Sequence, residues 1–161
     1  MMKILVDADA CPVKNIIVRI AKQRGIPVTM LIDTSHELDD GYSTVKVVDK
    51  ARDSVDIALA NLIVKGDIVV TQDYGVAAMA LGKKAKAINQ NGMIYNDNNI
   101  DRLLFERHLG QKVRRAGGRT ANAGKRTRAD DESFEKAFGR LVQEVLGELE
   151  LINSREGKGD L

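Results

Sequence analysis

The chain has little cysteine, few aromatic residues and no long apolar run, and each shortage excludes a class of protein. Its one cysteine, Cys11, cannot form an internal disulfide. No apolar segment approaches the roughly 20 residues of a membrane-spanning helix, and the N-terminal segment lacks the features of a signal peptide. We therefore expect a soluble, cytoplasmic protein. With 161 residues, 43% of them hydrophobic, the chain can build one core without metal or disulfide staples.

Charge is balanced overall but unevenly distributed. The 25 Lys and Arg residues exceed the 23 Asp and Glu residues by only two, yet residues 107–128 contain eight bases and no acid. The rest of the chain therefore has a net charge of −6. A glycine-containing basic segment suits a phosphate backbone, and the absence of aromatic residues from it argues against base stacking as the main mode of binding. The predicted phosphate contacts are Arg114, Arg115, Arg119, Lys125 and Arg126; a solvated loop without function is the alternative.

Apolar periodicity predicts strands that alternate with helices. Strands are predicted at 4–6, 26–32, 45–48, 68–71 and 85–88, with an edge strand at 93–95. Helices are predicted from Pro12 to a cap at Gly25, over 53–65 and 76–81, from Asn98 or Asn99 to Arg107, and over 131–151. Residues 107–130 are predicted to be a basic flexible loop and 153–161 a frayed tail. The fold class is therefore α/β, a mostly parallel sheet with helices on both faces, in one domain over 1–152.

Aspartates follow four of the predicted strands. Because ligands bind at the carboxyl ends of parallel strands, and because the first and fourth strands are neighbours in the common doubly wound order, we expect Asp7 and Asp73 to lie side by side. Aspartate also caps helices and favours turns, and we expect Asp33 and Asp49 to be turn residues only. The aspartates that end these strands are Asp7 with Asp9, Asp33, Asp49 and Asp73.

Clustered carboxylates require a compensating charge. Two of them about 4 Å apart repel by roughly 4 kcal/mol at an effective dielectric constant near 20. Oxygen ligands without a His or Cys cluster favour Mg²⁺ or Mn²⁺, which also bind phosphate and assist attack of water on a phosphodiester. The stronger signals are the Asp7 and Asp9 pair and the segment from Thr71 to Asp73. Thr71 is predicted to support the site by a hydrogen bond to a carboxylate or to a metal-bound water.

Several segments resemble a known family. ILVDADACPVK, VTQDYGVAAMAL, NIDRLLFERH and the basic KVRRAGGR…GKRTRADDESFEKAFGRL are similar to the uncharacterised bacterial YaiI/YqxD family over most of residues 3–145. That family in turn resembles the PIN-like nucleases, α/β domains that hold three or four acids around Mg²⁺ or Mn²⁺. The resemblance implies catalytic and metal-binding roles for Asp7 and Asp73, a metal-binding role for Asp56 on a helix, and Asp9 as a fourth ligand. The Asp9 position and the Cys11-Pro12 pair depart from the usual nuclease pattern.

The leading hypothesis is a metal-dependent phosphodiesterase that acts on RNA or another nucleic acid. One alternative keeps the fold but makes the chain a non-catalytic nucleic-acid-binding protein with a vestigial acidic site. A second is a haloacid-dehalogenase-type phosphatase that uses Asp7 as nucleophile and Asp9 as acid/base. Cys11 is either a thiol activated by a helix N-terminus or a small packed residue, and His36 and His108 are predicted to be surface residues. The oligomeric state is left open, a homodimer included.

Overall fold

The structure is a computed structural model that describes residues 2–33, 37–49, 54–118 and 124–159. Within these ranges the chain forms five strands and five helices that alternate through most of its length. In chain order they are β1 (Ile4–Asp7), α1 (Lys14–Arg24), β2 (Val28–Asp33), β3 (Thr44–Val48), α2 (Val55–Leu62), β4 (Ile68–Val70), α3 (Tyr74–Gly82), β5 (Lys86–Ile88), α4 (Asp97–Arg115) and α5 (Arg128–Gly157).

The five strands form one sheet in the order β3-β2-β1-β4-β5, and every neighbouring pair is parallel. Ile4 of β1 lies opposite Val28 of β2 on one side and Ile68 of β4 on the other. The first strand is thus central, which agrees with its uninterrupted apolar sequence, because a strand buried on both faces needs no polar alternation. The predicted adjacency of the first and fourth strands is confirmed.

Helices cover both faces of the sheet, as predicted. On one face α1 and α5 pack on the sheet, with the stacked rings of Phe134 and Phe138 in the core. On the other face α2, α3 and α4 pack on Leu5, Leu31 and Val69. Small residues bring α3 close to the sheet, since its alanines Ala77 and Ala80 are fully buried there. The predicted cap of α1 at Gly25 is confirmed, with a left-handed φ of 65°.

Helix boundaries differ most from the prediction in the basic segment and at the C-terminal end. The helix α4 begins after its cap Asn96 and continues to Arg115, so 108–115 are helical where a loop was predicted. Arg, Lys, Gln and Leu favour helix there, and cations in the last turn suit the helix dipole. Likewise α5 extends to Gly157, so that 153–157 are helical where a frayed tail was predicted.

Smaller corrections concern individual ends and one strand. Pro12 lies in a turn before α1, which starts at Lys14. The predicted edge strand at 93–95 is only an isolated antiparallel bridge between Ile88 and Ile94. No helix in the described part of the chain is long and apolar enough to cross a membrane.

Candidate functional site

A depression of about 270 Å³ lies at the carboxyl edge of the sheet, where β1 and β4 end next to each other. Its walls come from the loop after β1 and from the first residues after β4, which explains why the sequence predicted this edge. The lining residues are Asp7, Asp9, Ala10, Gln72 and Asp73.

Thr71 connects the two loops of the depression. It is almost fully buried, at 2% exposure. Its Oγ1 donates to Oδ2 of Asp7 at 3.4 Å and accepts from the backbone N–H of Asp73 at 3.0 Å. Its carbonyl accepts from the hydroxyl of the buried Tyr95 at 3.1 Å. The predicted hydrogen bond from Thr71 to a carboxylate is thus present, and it fixes Asp7 relative to Asp73.

Asp73 has a structural function in addition to its place in the depression. It is the N-cap of α3, and its Oδ1 accepts from the backbone N–H groups of Gly75 at 2.8 Å and Val76 at 3.1 Å. A Cβ at Gly75 would lie 3.1 Å from the same oxygen, so glycine leaves room for this cap. Capping alone accounts for an aspartate here, and only its neighbours indicate a further role.

Two carboxylates of the depression, Asp7 and Asp73, interact electrostatically with Asp56 of α2. Burial raises the pKa of Asp7 to about 6, and the negative charges of Asp56, Asp73 and Asp9 act in the same direction. Burial also raises the pKa of Asp56, an acid in the first turn of α2, and so do the charge of Asp73 and a hydrogen bond between these two side chains. The charge of Asp56 therefore acts on Asp7, and that of Asp73 on Asp56, although Asp56 does not line the depression and is distant from both in sequence.

The donor chemistry of these residues fits a hard divalent cation. In the described ranges no three His, Cys, Asp or Glu side chains are already placed to hold a metal ion. Mg²⁺ commonly takes only one or two carboxylates directly and keeps several of its waters. A bound cation would oppose both the burial and the like charges that raise the pKa of Asp7 and Asp56. Asp7, Asp56 and Asp73 are the residues that would hold it.

The loop after β1 carries backbone strain. Ala10 has a φ of 59°, in the left-handed region that non-glycine residues rarely adopt. Nε2 of Gln72 donates to the carbonyl oxygen of Ala10 at 3.1 Å. Asp9 Oδ2 accepts from the backbone N–H of Asp33 at 3.0 Å, which joins this loop to the end of β2. Strain of this kind costs about 1–3 kcal/mol and is concentrated at functional sites.

The other two strand-end aspartates do not line the depression. Asp33 is buried at the end of β2 and donates its backbone N–H to Asp9, as described above. Asp49 follows β3 and lines a separate cavity with Val48 and Leu62. Neither residue therefore lines the depression, and Asp33 is connected to it through its bond to Asp9.

Arg107 is a site residue that the sequence reasoning missed. Its Nη1 lies 3.8 Å from Oδ1 of Asp73, and its charge opposes the increase in the pKa of Asp56. Helical spacing could have indicated it. Arg107 is seven residues after the buried Ile100 and four after the buried Leu103, so it lies on the same face of α4 as these two residues. It was overlooked because the helix was predicted to end at this residue.

The predicted phosphate contacts fall into three groups. Arg114 and Arg115 are exposed in the last turn of α4, and Lys125 is exposed before α5. Arg119 lies outside the described residues. Arg126, also predicted as a phosphate contact, has its guanidinium bonded within the protein. Its nitrogens donate to Oδ1 of Asp131 at 2.8 Å, Oδ1 of Asn91 at 2.7 Å and the carbonyl of Gln90 at 2.7 Å.

Cys11 and the histidines contribute little to the site. The thiol of Cys11 is buried in the core, and burial raises its pKa, the opposite of what an activated nucleophile requires. The packed-residue interpretation of Cys11 is therefore favoured. His108 is exposed on α4, as predicted. His36 lies outside the described residues.

A parallel sheet with interacting aspartates at its carboxyl edge defines an α/β protein with an acidic edge site. The chain belongs to the YaiI/YqxD family, whose model, described as "Uncharacterized BCR, YaiI/YqxD family", matches residues 5–144. The resemblance drawn from the sequence is thereby confirmed at the level of this family.

Relatives align over nearly their whole length. The UPF0178 protein of Ruminiclostridium cellulolyticum is 74% identical over 137 residues, which cover 85% of this chain and 90% of that protein. The UPF0178 protein of Clostridium acetobutylicum is 57% identical over 143 residues, which cover 88% of this chain and 97% of that protein. The UPF0178 protein of Exiguobacterium sibiricum is 49% identical over 143 residues, which cover 89% of this chain and 98% of that protein. No solved structure matches the chain significantly.

Proposed function

We propose that this protein is a divalent-metal-dependent phosphodiesterase that acts on nucleic acid, with RNA as the favoured substrate. The observation that carries the proposal is the position of α4. This helix places Arg107 Nη1 3.8 Å from Oδ1 of Asp73 in the acidic depression and carries Lys112, Arg114 and Arg115 in its last turn.

The spacing along α4 gives a path for a phosphate backbone. Arg114 is seven residues after Arg107, so it lies on nearly the same helix face and about 10 Å farther along the axis. Arg115 follows it in the last turn. A nucleic acid strand that contacts these arginines is directed towards the carboxylates by the helix itself. The low aromatic content agrees with recognition through phosphates rather than stacked bases.

The carboxylates supply the second half of the proposal. Asp7, Asp56 and Asp73 would hold Mg²⁺ or Mn²⁺, with Asp9 at the rim of the same depression. Such an ion, when bound, neutralises charge on a phosphodiester and acidifies an attacking water. Arg107 would then position the substrate phosphate beside the carboxylates. The similarity to PIN-like nucleases expected from the sequence motifs agrees with the same interpretation.

Cleavage of mixed RNA and DNA substrates with Mn²⁺ or Mg²⁺ tests the proposal. Asp73→Asn is the informative variant, because asparagine also caps helices and the fold is preserved. We expect its metal-dependent cleavage to fall by at least the roughly 10–100-fold that loss of an outer-shell partner costs. Asp101→Asn, at an exposed position of α4, is the matched control and should cleave like the wild type. Equal cleavage by both variants would contradict the site assignment.

A non-catalytic nucleic-acid-binding protein is the second candidate, since no three side chains of the described residues are already arranged around a metal position. It predicts binding that weakens steeply with salt but no turnover on any substrate. A phosphomonoester in the same assay tests the phosphatase alternative, because turnover of that substrate that disappears in Asp7→Asn would favour it.

A further inference from the structure

The helix α4 carries an apolar stripe on the side that faces away from the sheet. The stripe consists of Phe105, Leu109 and Val113, which are spaced four residues apart and therefore share one face of the helix. Leu109 is nine residues, or two and a half turns, after the buried Ile100 and so lies on the opposite side of α4. The three side chains of the stripe are 60%, 44% and 42% exposed, whereas the other two phenylalanines of the chain are fully buried. The fold thus leaves this apolar surface in solvent.

The C-terminal part of α4 is also poorly packed on the rest of the protein. Residues 105–109 and 112–115 are exposed, and Gly110 and Gln111 are only half-buried. Eleven helical residues with so little burial are marginal in water, since helices in proteins are stabilised mainly by packing of an apolar face. Gly110, in the helix interior, lowers the helix propensity of this segment further. A partner that covers the stripe would supply the packing that the segment lacks.

The charges of α4 favour a second copy of the same helix as that partner, in antiparallel orientation. Residues 97–106 contain three acidic residues and one arginine, whereas 107–115 contain four Lys or Arg residues and no acid. Antiparallel pairing lays the acidic part of each helix along the basic part of the other, which is electrostatically complementary. The acidic residues disfavour an anionic lipid surface as the partner, and the apolar side chains of the stripe disfavour a phosphate backbone.

We propose that the protein forms a two-fold symmetric dimer in which the apolar stripes of two α4 helices pack antiparallel on each other. With the symmetry axis at Leu109, the two copies of Leu109 meet, and Phe105 of each copy packs on Val113 of the other. Two-fold contacts of this kind, with the same patch on both subunits, are the commonest in soluble oligomers. Arg107 and Arg114 lie on the other side of α4. The dimer therefore neither blocks these arginines nor rests on the proposed phosphodiesterase activity.

The same arrangement predicts an ion pair at each end of the interface. Asp101 and Arg115 flank the stripe on the same side of α4, because the fourteen residues between them make nearly four full turns. The two-fold axis brings this side of both helices together and places Asp101 about 3 Å along the helix axis from Arg115 of the second copy. Arg102, in line with the stripe, falls opposite Ala116 of the second copy, the C-cap at the negative end of its helix.

Sedimentation equilibrium of the full chain tests the proposal. A helix pair is a small interface, typical of weak complexes, so we expect a monomer–dimer equilibrium within about 5–500 µM protein. Leu109→Lys should weaken dimerisation by at least about tenfold, because two ammonium groups then meet at the symmetry axis. Leu151→Lys, at an exposed leucine of α5, is the matched control and should leave the equilibrium unchanged. Circular dichroism checks that both variants keep the fold.

Charge reversal tests the antiparallel orientation. Asp101→Lys and Arg115→Glu should each weaken the dimer about fivefold, the combined effect of two symmetry-related exposed ion pairs. The variant with both substitutions should regain the affinity of the wild type, because it forms the same pairs with the signs exchanged. Arg114→Glu lies in the same turn as Arg115 but away from the stripe, and it should have little effect on the dimer.

A wild type that stays monomeric up to the highest concentration would overturn the proposal, and so would a dimer that persists in Leu109→Lys. A double charge-reversal variant that dimerises as weakly as the single variants would overturn the antiparallel pairing. If a monomeric wild type binds phosphatidylglycerol vesicles and Leu109→Lys does not, the stripe is a lipid-binding surface and the dimer is likewise overturned.

Discussion

Asp7 lies where burial and like charge act in the same direction on its carboxyl group. Its pKa is raised from an ordinary 3.8 to about 6, so the folded protein binds this proton more tightly than the unfolded chain does. Folding stability contributed by this group is therefore complete below about pH 4, decreases as the pH rises towards 6, and is lost at neutral pH. At pH 7 we therefore expect the ionised Asp7 to destabilise the folded protein, and carboxyl groups with perturbed pKa values are concentrated at functional sites.

Asp7→Asn should therefore stabilise the protein at pH 7.5 in the absence of divalent metal. A pKa change of this size corresponds to about 3 kcal/mol, which partial solvent exposure reduces to about 1–2 kcal/mol. The difference from wild type should shrink towards zero at pH 4, where both side chains are neutral. Urea denaturation at the two pH values measures it. If Asp7→Asn proves less stable than wild type at pH 7.5, the raised pKa is contradicted.

Arg126 and Lys125 are neighbours in sequence, yet the structure gives them different roles. Arg126 bonds to Gln90, Asn91 and Asp131 and joins the turn to α5, whereas Lys125 is exposed. Arg126→Ala should lower the free energy of unfolding by about 1–3 kcal/mol. Lys125→Ala should leave it within about 0.5 kcal/mol of wild type. Thermal or urea unfolding of the matched pair tests this, and equal stability of the two variants would show that the Arg126 hydrogen bonds contribute nothing.

At the scale of elements, α4 is the helix that gives the acidic site its basic surroundings. If Arg114 and Arg115 bind phosphates, replacing both by Gln should make RNA binding less sensitive to salt. The slope of the logarithm of the binding constant against the logarithm of the salt concentration should fall in magnitude by about 0.7 for each phosphate contact that is lost on a single strand. Filter binding of an RNA oligonucleotide at several salt concentrations measures the slope. The control pair Arg24→Gln and Arg155→Gln lies on α1 and α5. A slope that changes equally in both pairs would assign the effect to net charge rather than to α4.

The same helix shows what sequence could and could not predict. The strands and the adjacency of β1 and β4 followed from apolar runs and a common strand order, and this was enough to place Asp7 beside Asp73. Asp56 could be placed on a helix, but its distance from Asp73 depends on how α2 packs on the sheet. Arg107 required knowledge that α4 continues past it. No local signal separates the bonded Arg126 from the exposed Lys125, because the partners of Arg126 at 90 and 91 are distant in sequence.

At the scale of the whole molecule, the near-zero net charge conceals an acidic body and a basic segment, and Arg107 of that segment lies beside Asp73 at the carboxyl edge of the sheet. The carboxylates repel one another in the folded state, while unfolding separates them. A cation that binds only the folded arrangement therefore stabilises the entire molecule through mass action. This linkage makes global stability a measure of the site that needs neither a substrate nor an assumption about turnover.

Mg²⁺ at ten times its dissociation constant should raise the free energy of unfolding by about 1.4 kcal/mol, or the melting temperature by about 3–6 °C for a domain of this size. Thermal unfolding at pH 7.5 with increasing MgCl₂ measures the shift, and NaCl of matched ionic strength controls for screening of the acidic body. The Mg²⁺-dependent part of the shift should be absent in Asp56→Asn, which removes a proposed ligand. Asp56 is not the N-cap of α2, so this variant keeps the helix cap. Asp101→Asn should retain the full shift. An identical shift in the wild type and Asp56→Asn would show that Mg²⁺ acts elsewhere on the protein. If MgCl₂ raises the melting temperature of the wild type no more than NaCl of the same ionic strength does, Mg²⁺ does not bind at the carboxylates. That result would favour the non-catalytic alternative.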